Sequence, residues 1–166
     1  MYIKDYKGTS QVVQITHSDP VTAGRITAHI YNNMYLIEAY APCQGKRIED
    51  FYEYLNTHAT DASLKGLPMI VMGDFNGHIE GWYSNHTNTN GQALIDFAEY
   101  WELEILPNNQ PTFRGRNGDP TCVDYVLIPR NMNGYIKGHA VYSDSAISSD
   151  HIPLVTQVLP TPDMTR

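Results

Sequence analysis

The sequence predicts an α+β fold in which two packed β-sheets are flanked by helices. Short segments with apolar residues at alternate positions recur along most of the 166 residues, and this alternation is typical of strands that bury one face. Two well-separated segments instead carry apolar residues three and four positions apart, the spacing of an amphipathic helix. Many short strands with few helices favour sheets packed on each other with the helices outside.

The first third of the chain predicts strands. Alternating segments cover residues 11–16, 25–31 and 35–40, and Asn32-Asn33 lies between the last two. Such a dipeptide suits a two-residue hairpin turn. We therefore expect residues 25–31 and 35–40 to form an antiparallel pair, with Pro42 ending its second strand.

A first helix is predicted over residues 46–58, where apolar residues recur at the helical positions of one face. Gly66 and Pro68 then interrupt the chain. Residues 69–72 form a short continuous apolar run, which is consistent with a buried strand. This strand would place Gly73 and Asp74 at its carboxyl end.

A second helix is predicted after residue 90, with Asn90 as its N-cap and an apolar stripe that ends at Trp101. Five more short strands follow along the chain. They are expected at residues 104–106, 112–114, 123–128, 135–142 and 152–159. Residues 160–166 are expected to form a loose tail.

The composition limits the classes of function. The formal net charge is −7, which argues against a broad basic face for nucleic acid. Acidity suits carboxylates grouped around a cation, or solubility alone. The two cysteines lack a metal-site spacing, so free thiols in a reducing compartment are expected. Without an apolar run of about 20 residues or a signal peptide, a soluble intracellular protein is predicted.

The first candidate site follows the buried strand. Asp74 and Asn76 come directly after it, and their side chains would point the same way if the backbone stayed extended. A carboxylate can bind a cation or accept a proton, and an amide can hold a phosphate oxygen. The alternative is a simple turn, because Gly, Asp and Asn are common turn residues.

The second candidate site combines carboxylates with an imidazole. Asp124 lies in an otherwise apolar strand, and a buried carboxylate requires a partner. Asp150-His151 precedes the last strand, where the pair suits metal binding or proton transfer. A capping Asp beside a surface His is the alternative. A histidine is a natural partner for Asp124, since the carboxylate can fix its tautomer.

Taken together, these motifs resemble those of the endonuclease/exonuclease/phosphatase superfamily. The chain carries, in order, Tyr-Ala-Pro from residue 40, Gly-Asp-Phe-Asn from 73, Pro-Thr-Phe-Arg from 111, Asp-Tyr-Val-Leu from 124 and Ser-Asp-His from 149. The stretches at 77–84 and 111–114 resemble the endonuclease domains of non-LTR retrotransposons. The resemblance spans residues 3–159 and implies a DNase I-like four-layer sandwich and a nuclease dependent on Mg²⁺ or Mn²⁺, with nucleic acid as substrate.

The resemblance also implies roles for individual residues. Asp74 matches the carboxylate that orients the attacking water, and Asn76 matches the amide that holds the scissile phosphate. His151 matches the histidine beside the phosphate, described as base or as stabiliser, and Asp124 matches the carboxylate that orients it. The remaining matches are a tyrosine beside the phosphate, Tyr40, and a residue at the edge of the metal site, Asp150.

The chain departs from the family pattern at its start. Family members open with strands that carry an asparagine motif and a metal-binding glutamate, whereas Met1 matches a point after that glutamate. An N-terminally incomplete domain, residues 1–159, is therefore expected. Glu38 shares a strand face with Tyr40, so it is either a substitute metal ligand or a solvent-facing residue. The resemblance further predicts a dimer, or a partner protein, over the surface that the missing segment would cover.

Three functions remain open from the sequence. The chain is a metal-dependent endonuclease, an inactive remnant that serves as a binding or structural subunit, or a phosphatase of a small molecule. The retrotransposon-like motifs disfavour the phosphatase. Arg114 and Arg116 are candidates for contact with a nucleic-acid backbone, and the loop residues His78, Trp82 and His86 are weaker candidates.

Overall fold

A computed structural model describes residues 13–15, 24–43, 47–115, 118–142 and 149–159. Eight strands and two α-helices occur in these ranges. In chain order they are β1 Val13–Ile15, β2 Arg25–Tyr31, β3 Met34–Tyr40, α1 Ile48–Leu64, β4 Met69–Asp74, α2 Thr89–Tyr100, β5 Leu103–Ile105, β6 Asp124–Pro129, β7 Ile136–Val141 and β8 Leu154–Val158. A 3₁₀ helix, Arg130–Tyr135, joins β6 to β7.

Two sheets are formed. The larger sheet has the strand order β1-β2-β3-β4-β6-β5, and the smaller sheet pairs β7 with β8. β3 and β4 run parallel and are connected through α1, whereas β4 and β6 are antiparallel. The carboxyl ends of β3 and β4 therefore lie beside the amino ends of β2 and β6.

The predicted hairpin is confirmed. β2 and β3 are antiparallel, with Arg25 opposite Tyr40 and Tyr31 opposite Met34. Asn32 and Asn33 both have positive φ angles, 48° and 58°. This is the conformation of a type I′ turn, which asparagine tolerates and whose twist matches the strands.

Both predicted helices are present with different bounds. α1 continues to Leu64, six residues beyond the predicted end at residue 58, because Ala59 and Ala62 extend its buried face. α2 begins at Thr89 and its N-cap is Asn88, whose side chain accepts a hydrogen bond from Gly91 N. The prediction of Asn90 as the cap is wrong.

Asn90 has a different role, as a buried tie between segments. Its side-chain amide donates to the carbonyl oxygens of Pro42 and Phe75 at 2.9 and 3.2 Å. Capping chemistry alone does not separate Asn88 from Asn90. The difference arises because Asn90 is needed to satisfy the carbonyl group of Phe75, the residue after Asp74.

Most of the later strands lie where they were predicted, with shifts of one or two residues at their ends. The exception is residues 112–114. There Phe113 forms only isolated bridges with Thr121 and His151, so this segment joins the site loops without forming a regular strand. Residues 160–166 lie outside the described part of the chain.

Two hydrophobic cores define the layers. The first core lies between the helices and the larger sheet and includes Phe51, Leu55, Leu94, Phe97 and Val71. The second core joins the opposite face of the larger sheet to β7 and β8 through their apolar side chains. The described ranges therefore contain a helix layer and two sheet layers, which confirms the α+β class with two packed sheets. Both α-helices lie on the larger sheet, so the fourth layer of the predicted sandwich is not present among the described residues.

Side chains alternate along the strands, and this alternation places the polar residues at the strand ends on the face of the larger sheet that carries the second core. Leu36 and Ile70 face the second core, whereas Ile37 and Val71 face the helices. Tyr40 and Asp74 have the same parity as Leu36 and Ile70, so they extend the inter-sheet face beyond its apolar part. The strands thus carry the candidate residues to the open rim between the two sheets.

Candidate active site

Four residues from four strands lie in register at one end of the larger sheet. Arg25 pairs with Tyr40, Tyr40 pairs with Asp74, and Asp74 pairs with Asp124. Neighbouring residues in register project from the same face of a sheet. We call this set the strand-end row. It brings together residues that are up to 99 positions apart in the sequence.

The backbone between Asp74 and Asn76 turns sharply. Asp74 Oδ1 accepts a hydrogen bond from Asn76 N at 2.8 Å, and Asn76 has a positive φ of 49°. The extended backbone assumed from the sequence is therefore wrong. The segment is a turn in which the Asp74 carboxylate holds the next amide, so turn and candidate site coincide.

Asn76 is held in place on its other side as well. Its side-chain amide donates to Ala41 O at 2.8 Å, just beyond the end of β3. The side chain is therefore oriented by the hydrogen bond to a neighbouring strand end. A preset amide of this kind can contact a bound group without first losing side-chain freedom.

His151 lies between two carboxylates. Its Nδ1 is 3.0 Å from Asp124 Oδ2 and 3.2 Å from Asp124 Oδ1. Its Nε2 is 3.7 Å from Asp74 Oδ2. A carboxylate at Nδ1 favours a proton on that nitrogen, which fixes the orientation of the ring and leaves Nε2 for exchange of a proton.

Electrostatics at the site are dominated by burial and by the crowding of negative charge. Burial raises the pKa of Asp74, and the charges of Asp124 and Asp150 raise it further. Burial also raises the pKa of Asp124. For His151, burial lowers the pKa, but the neighbouring carboxylates outweigh it and the net shift is upward.

The loop at residues 111–114 supports the aspartate–histidine pair. The buried Thr112 hydroxyl accepts hydrogen bonds from Val123 N and Asp124 N, both at 3.2 Å. The Phe113 ring lies 5.0 Å from the His151 ring. The sequence suggested a strand at this segment and missed these supporting roles, for which the polar Thr112 beside the aromatic Phe113 was the available signal.

Tyr40 has a cationic neighbour that the sequence interpretation missed. The Arg25 guanidinium carbon is 5.7 Å from the centre of the Tyr40 ring, within the range of a cation–π contact. Tyr40 is 44% exposed. In the sequence, Arg25 appears only as the first residue of a strand, and its position two strands from Asp74 in the strand-end row follows from register across β2, β3 and β4.

The other predicted residues lie at the margin of this group. Asp150 is exposed, and its carbonyl oxygen accepts a hydrogen bond from the backbone of Arg114, whose side chain is also exposed. Glu38 pairs with Met72, two residues before the strand-end row. Arg116 lies outside the described ranges.

The loop after Asn76 is held by contacts within the loop and by contacts with the rest of the domain. The rings of His78 and His86 are stacked, with their centres 5.6 Å apart. The Trp82 ring packs 5.8 Å from the buried Tyr125, which gives the tryptophan a part in the core of the domain.

Asp74, Asp124 and His151 form a group that could hold a metal ion. One ligand atom from each residue lies within 4.8 Å of the others. The hydrogen bonds qualify this grouping, since both Asp124 oxygens face His151 Nδ1. Asp124 is therefore the partner of the histidine, and Asp74 is the carboxylate best placed for a cation.

The chain belongs to the endonuclease-reverse transcriptase family of the endonuclease/exonuclease/phosphatase superfamily. A sequence profile of that family matches residues 34–155, which include all of the strand-end row except Arg25.

Among curated proteins, the chain is similar to the RNA-directed DNA polymerase from the mobile element jockey of Drosophila funebris. The two are 27% identical over 96 residues, which cover 56% of this chain and 10% of the relative. The chain therefore spans about a tenth of the length of that protein.

Among solved structures, the chain is similar to the endonuclease domain of TRAS1, a telomere-specific non-LTR retrotransposon. The TM-score is 0.70 at 22% identity, with 92% of this chain and 70% of that chain covered. A 3′-5′ exonuclease from Neisseria meningitidis gives a TM-score of 0.67 at 16% identity, with 81% and 64% covered. These matches support the same fold.

None of the helices in the described ranges combines the length and apolar character that a membrane span requires.

Proposed function

We propose that this domain hydrolyses phosphodiester bonds in nucleic acid with the help of Mg²⁺ or Mn²⁺. The observation that carries the proposal is the position of His151, held by Asp124 on one side and facing Asp74 on the other at the end of the sheet. A held imidazole beside a carboxylate is suited to act on a phosphate and a water molecule at the same place.

The donor set fits a hard divalent cation. Mg²⁺ is commonly bound through one or two carboxylates, with water and substrate phosphates completing its shell. Asp74 supplies such a carboxylate, and its pKa is raised by burial and by nearby negative charge, which a cation would relieve. When bound, the ion supplies positive charge to the phosphate oxygens. Asp150 and Glu38 remain proposed contributors at its edge.

The other proposed roles in the reaction belong to residues of the chain. Asp124 holds the His151 ring through Nδ1, and the raised pKa of His151 favours a proton on Nε2. That proton can be donated to a phosphate oxygen as negative charge develops. Asp74 would orient the attacking water, and the preset amide of Asn76 would hold the scissile phosphate.

Tyr40 and Arg25 would form the flank of the phosphate site. Tyr40 is partly exposed and Arg25 lies over its ring, so a positive charge stands at the strand-end row of an acidic chain. Arginine binds phosphate oxygens with a planar pair of donors. Arg114, in the loop at residues 111–114, is proposed as a second contact with the nucleic-acid backbone.

A plasmid-nicking assay tests the function. With Mg²⁺ or Mn²⁺ present, the wild-type domain should convert supercoiled plasmid to the nicked form, and His151→Ala should lower the rate about 100-fold or more. Leu64→Ala is the control, since Leu64 is an exposed side chain at the end of α1 without a role in the proposed reaction. No nicking by any variant, with all folded by circular dichroism, would favour an inactive binding or structural subunit.

The predicted contact with a second polypeptide stays a proposal. β1 and β5 are the outer strands of the larger sheet in the described ranges, and unpaired strand edges are natural places for such contacts. Light scattering tests it, because a monodisperse monomer across the working concentrations would contradict a homodimer.

A further inference from the structure

A groove of about 660 Å³ lies between α1 and α2. Most of its lining is apolar or aromatic, from Ile48, Tyr52, Ala93, Phe97, Tyr100 and Trp101. The groove lining does not include Asp74, Asp124 or His151. The proposed nuclease reaction therefore leaves this groove without a function.

The rim of the groove is acidic. Glu49 from α1 and Asp96 from α2 line it, and no lysine or arginine is among the lining residues that the structure describes. Gln92 donates to Asp96 Oδ1 at 2.8 Å. Trp101 Nε1 donates to Asn56 Oδ1 at 2.7 Å, which ties the end of α2 to α1 across the groove. The two walls are thus held together while their carboxylates face solvent.

A buried polar group also lines the groove. Tyr52 is only 8% exposed, and its hydroxyl has no hydrogen-bond partner within the described part of the chain. This oxygen has almost no accessible surface, so Tyr52 contributes to the floor of the groove through its ring. Burial raises the pKa of this hydroxyl, with the charge of Asp96 as a further cause, so it stays a donor at neutral pH.

We propose that this groove binds a basic peptide segment of a partner protein, in which lysine or arginine flanks an apolar side chain. The apolar side chain packs on Ala93 and Trp101, and the basic groups meet Glu49 and Asp96.

The charge of the rim decides against other occupants. Phosphates of nucleic acid would be repelled by the carboxylates of Glu49 and Asp96. A symmetric dimer through this face would set the acidic rim of one copy against the same rim of the other, and juxtaposed like charges disfavour association. A basic partner segment meets neither penalty.

Titration with a defined peptide tests the proposal. The probe is the acetylated and amidated peptide Lys-Arg-Leu-Leu-Lys-Arg, followed through the indole N–H signals of the two tryptophans by NMR. The Trp101 signal, assigned with Trp101→Phe, should shift and saturate, while the Trp82 signal should stay in place. Peptides with Glu for each basic residue, or Ser for each Leu, should bind at least about 3-fold more weakly.

Variants of the rim and the floor complete the test. The double variant Glu49→Gln and Asp96→Asn should weaken the peptide about 3- to 10-fold, and Ala93→Trp should abolish binding by filling the groove. Glu80→Gln, an exposed carboxylate outside the groove, should bind as the wild type does. Circular dichroism checks that each variant is folded.

The outcomes that overturn the proposal are distinct. Absence of saturation, equal binding of the acidic peptide, or unchanged affinity in the double rim variant would exclude a site for basic segments. Saturable shifts of Trp101 with a duplex DNA oligonucleotide would assign the groove to nucleic acid instead. A dimer seen by sedimentation and lost in Ala93→Trp would assign it to a second copy. None of these readouts depends on nuclease activity.

Discussion

His151 is the residue on which the proposed chemistry depends most directly. Its position was predicted in part from the sequence, because Asp124 stood in an apolar strand and required a partner. The structure joins the two at 3.0 Å. The contact to Asp74 was not predictable, since it depends on how β4 and β6 pair.

The titration of His151 gives a direct test at this scale. In metal-free protein its pKa should lie above the ordinary value of about 6.5, because the carboxylates favour the charged ring more than burial disfavours it. Asp124→Asn should lower that pKa, because it removes the charge and the hydrogen bond that raise it. The measurement is an NMR titration of the imidazole protons, and a wild-type pKa at or below the ordinary value would contradict the assignment.

Asp74 should reduce the stability of the metal-free fold at neutral pH. Its pKa is raised in the folded protein, so the folded state binds more protons than the unfolded state between the two pKa values. Stability therefore falls as the pH rises through that window. Asn at this position removes the charge and keeps an oxygen for Asn76 N.

We expect Asp74→Asn to raise Tm by about 2–5 °C at pH 7, and to lose this advantage below about pH 4, where the wild-type carboxyl is protonated in both states. Glu80→Gln, at an exposed carboxylate, should change Tm little. Thermal unfolding in EDTA at both pH values provides the measurement. A lower Tm for Asp74→Asn at pH 7 would show that the carboxylate stabilises the fold.

At the scale of elements, the approach of β3 to β4 sets the position of Asp74. Gly73 has a φ of 146°, and a Cβ there would lie 1.8 Å from Ala39 O. That oxygen belongs to the backbone of the neighbouring strand and cannot move aside. A glycine before the aspartate is therefore a requirement of strand packing as well as of the turn.

Gly73→Ala should lower the free energy of unfolding by at least about 3 kcal/mol, or prevent folding. Gly134→Ala is the matched control. A Cβ at Gly134 would meet nothing within 4 Å, so its expected change is below about 1 kcal/mol. Urea unfolding followed by circular dichroism measures both. Equal stability of the two variants would mean that β3 and β4 separate easily at this point.

Element bounds were predicted less well than element types. The helical stripe located α1 and α2 because each buries one face, yet the end of α1 and the cap of α2 were misplaced. Ala59 and Ala62 are buried in the core but look neutral in sequence. Asn88 and Asn90 have the same capping chemistry, and only their tertiary partners distinguish them.

On the scale of the whole molecule, the net charge of −7 limits how nucleic acid can be held. Arg25 and Arg114 are the basic residues argued to reach the substrate. Each phosphate contact contributes about 0.9 to the slope of log K against log salt for duplex DNA. With few phosphate contacts, the affinity for DNA should therefore depend only weakly on the salt concentration.

The expected slope for binding to a DNA duplex is about −2, measured by fluorescence anisotropy with His151→Ala so that the substrate stays intact. Arg25→Ala should reduce the slope by about 1. Lys65→Ala should leave it unchanged, since Lys65 pairs with Asp61 at the end of α1. A wild-type slope steeper than about −5 would point to a broad basic surface that this chain does not carry in the described ranges.

The sequence by itself determined the class of fold, the hairpin of β2 and β3, and the family, since alternation, turn chemistry and the spaced motifs are local properties of the chain. It also singled out the carboxylates and the histidine that the structure brings together at the candidate site. Only the tertiary structure decided that Arg25, Tyr40, Asp74 and Asp124 form one row, because strand register joins distant residues. The same holds for the turn at Asn76 and the groove between α1 and α2, which depend on packing between elements that no single segment specifies.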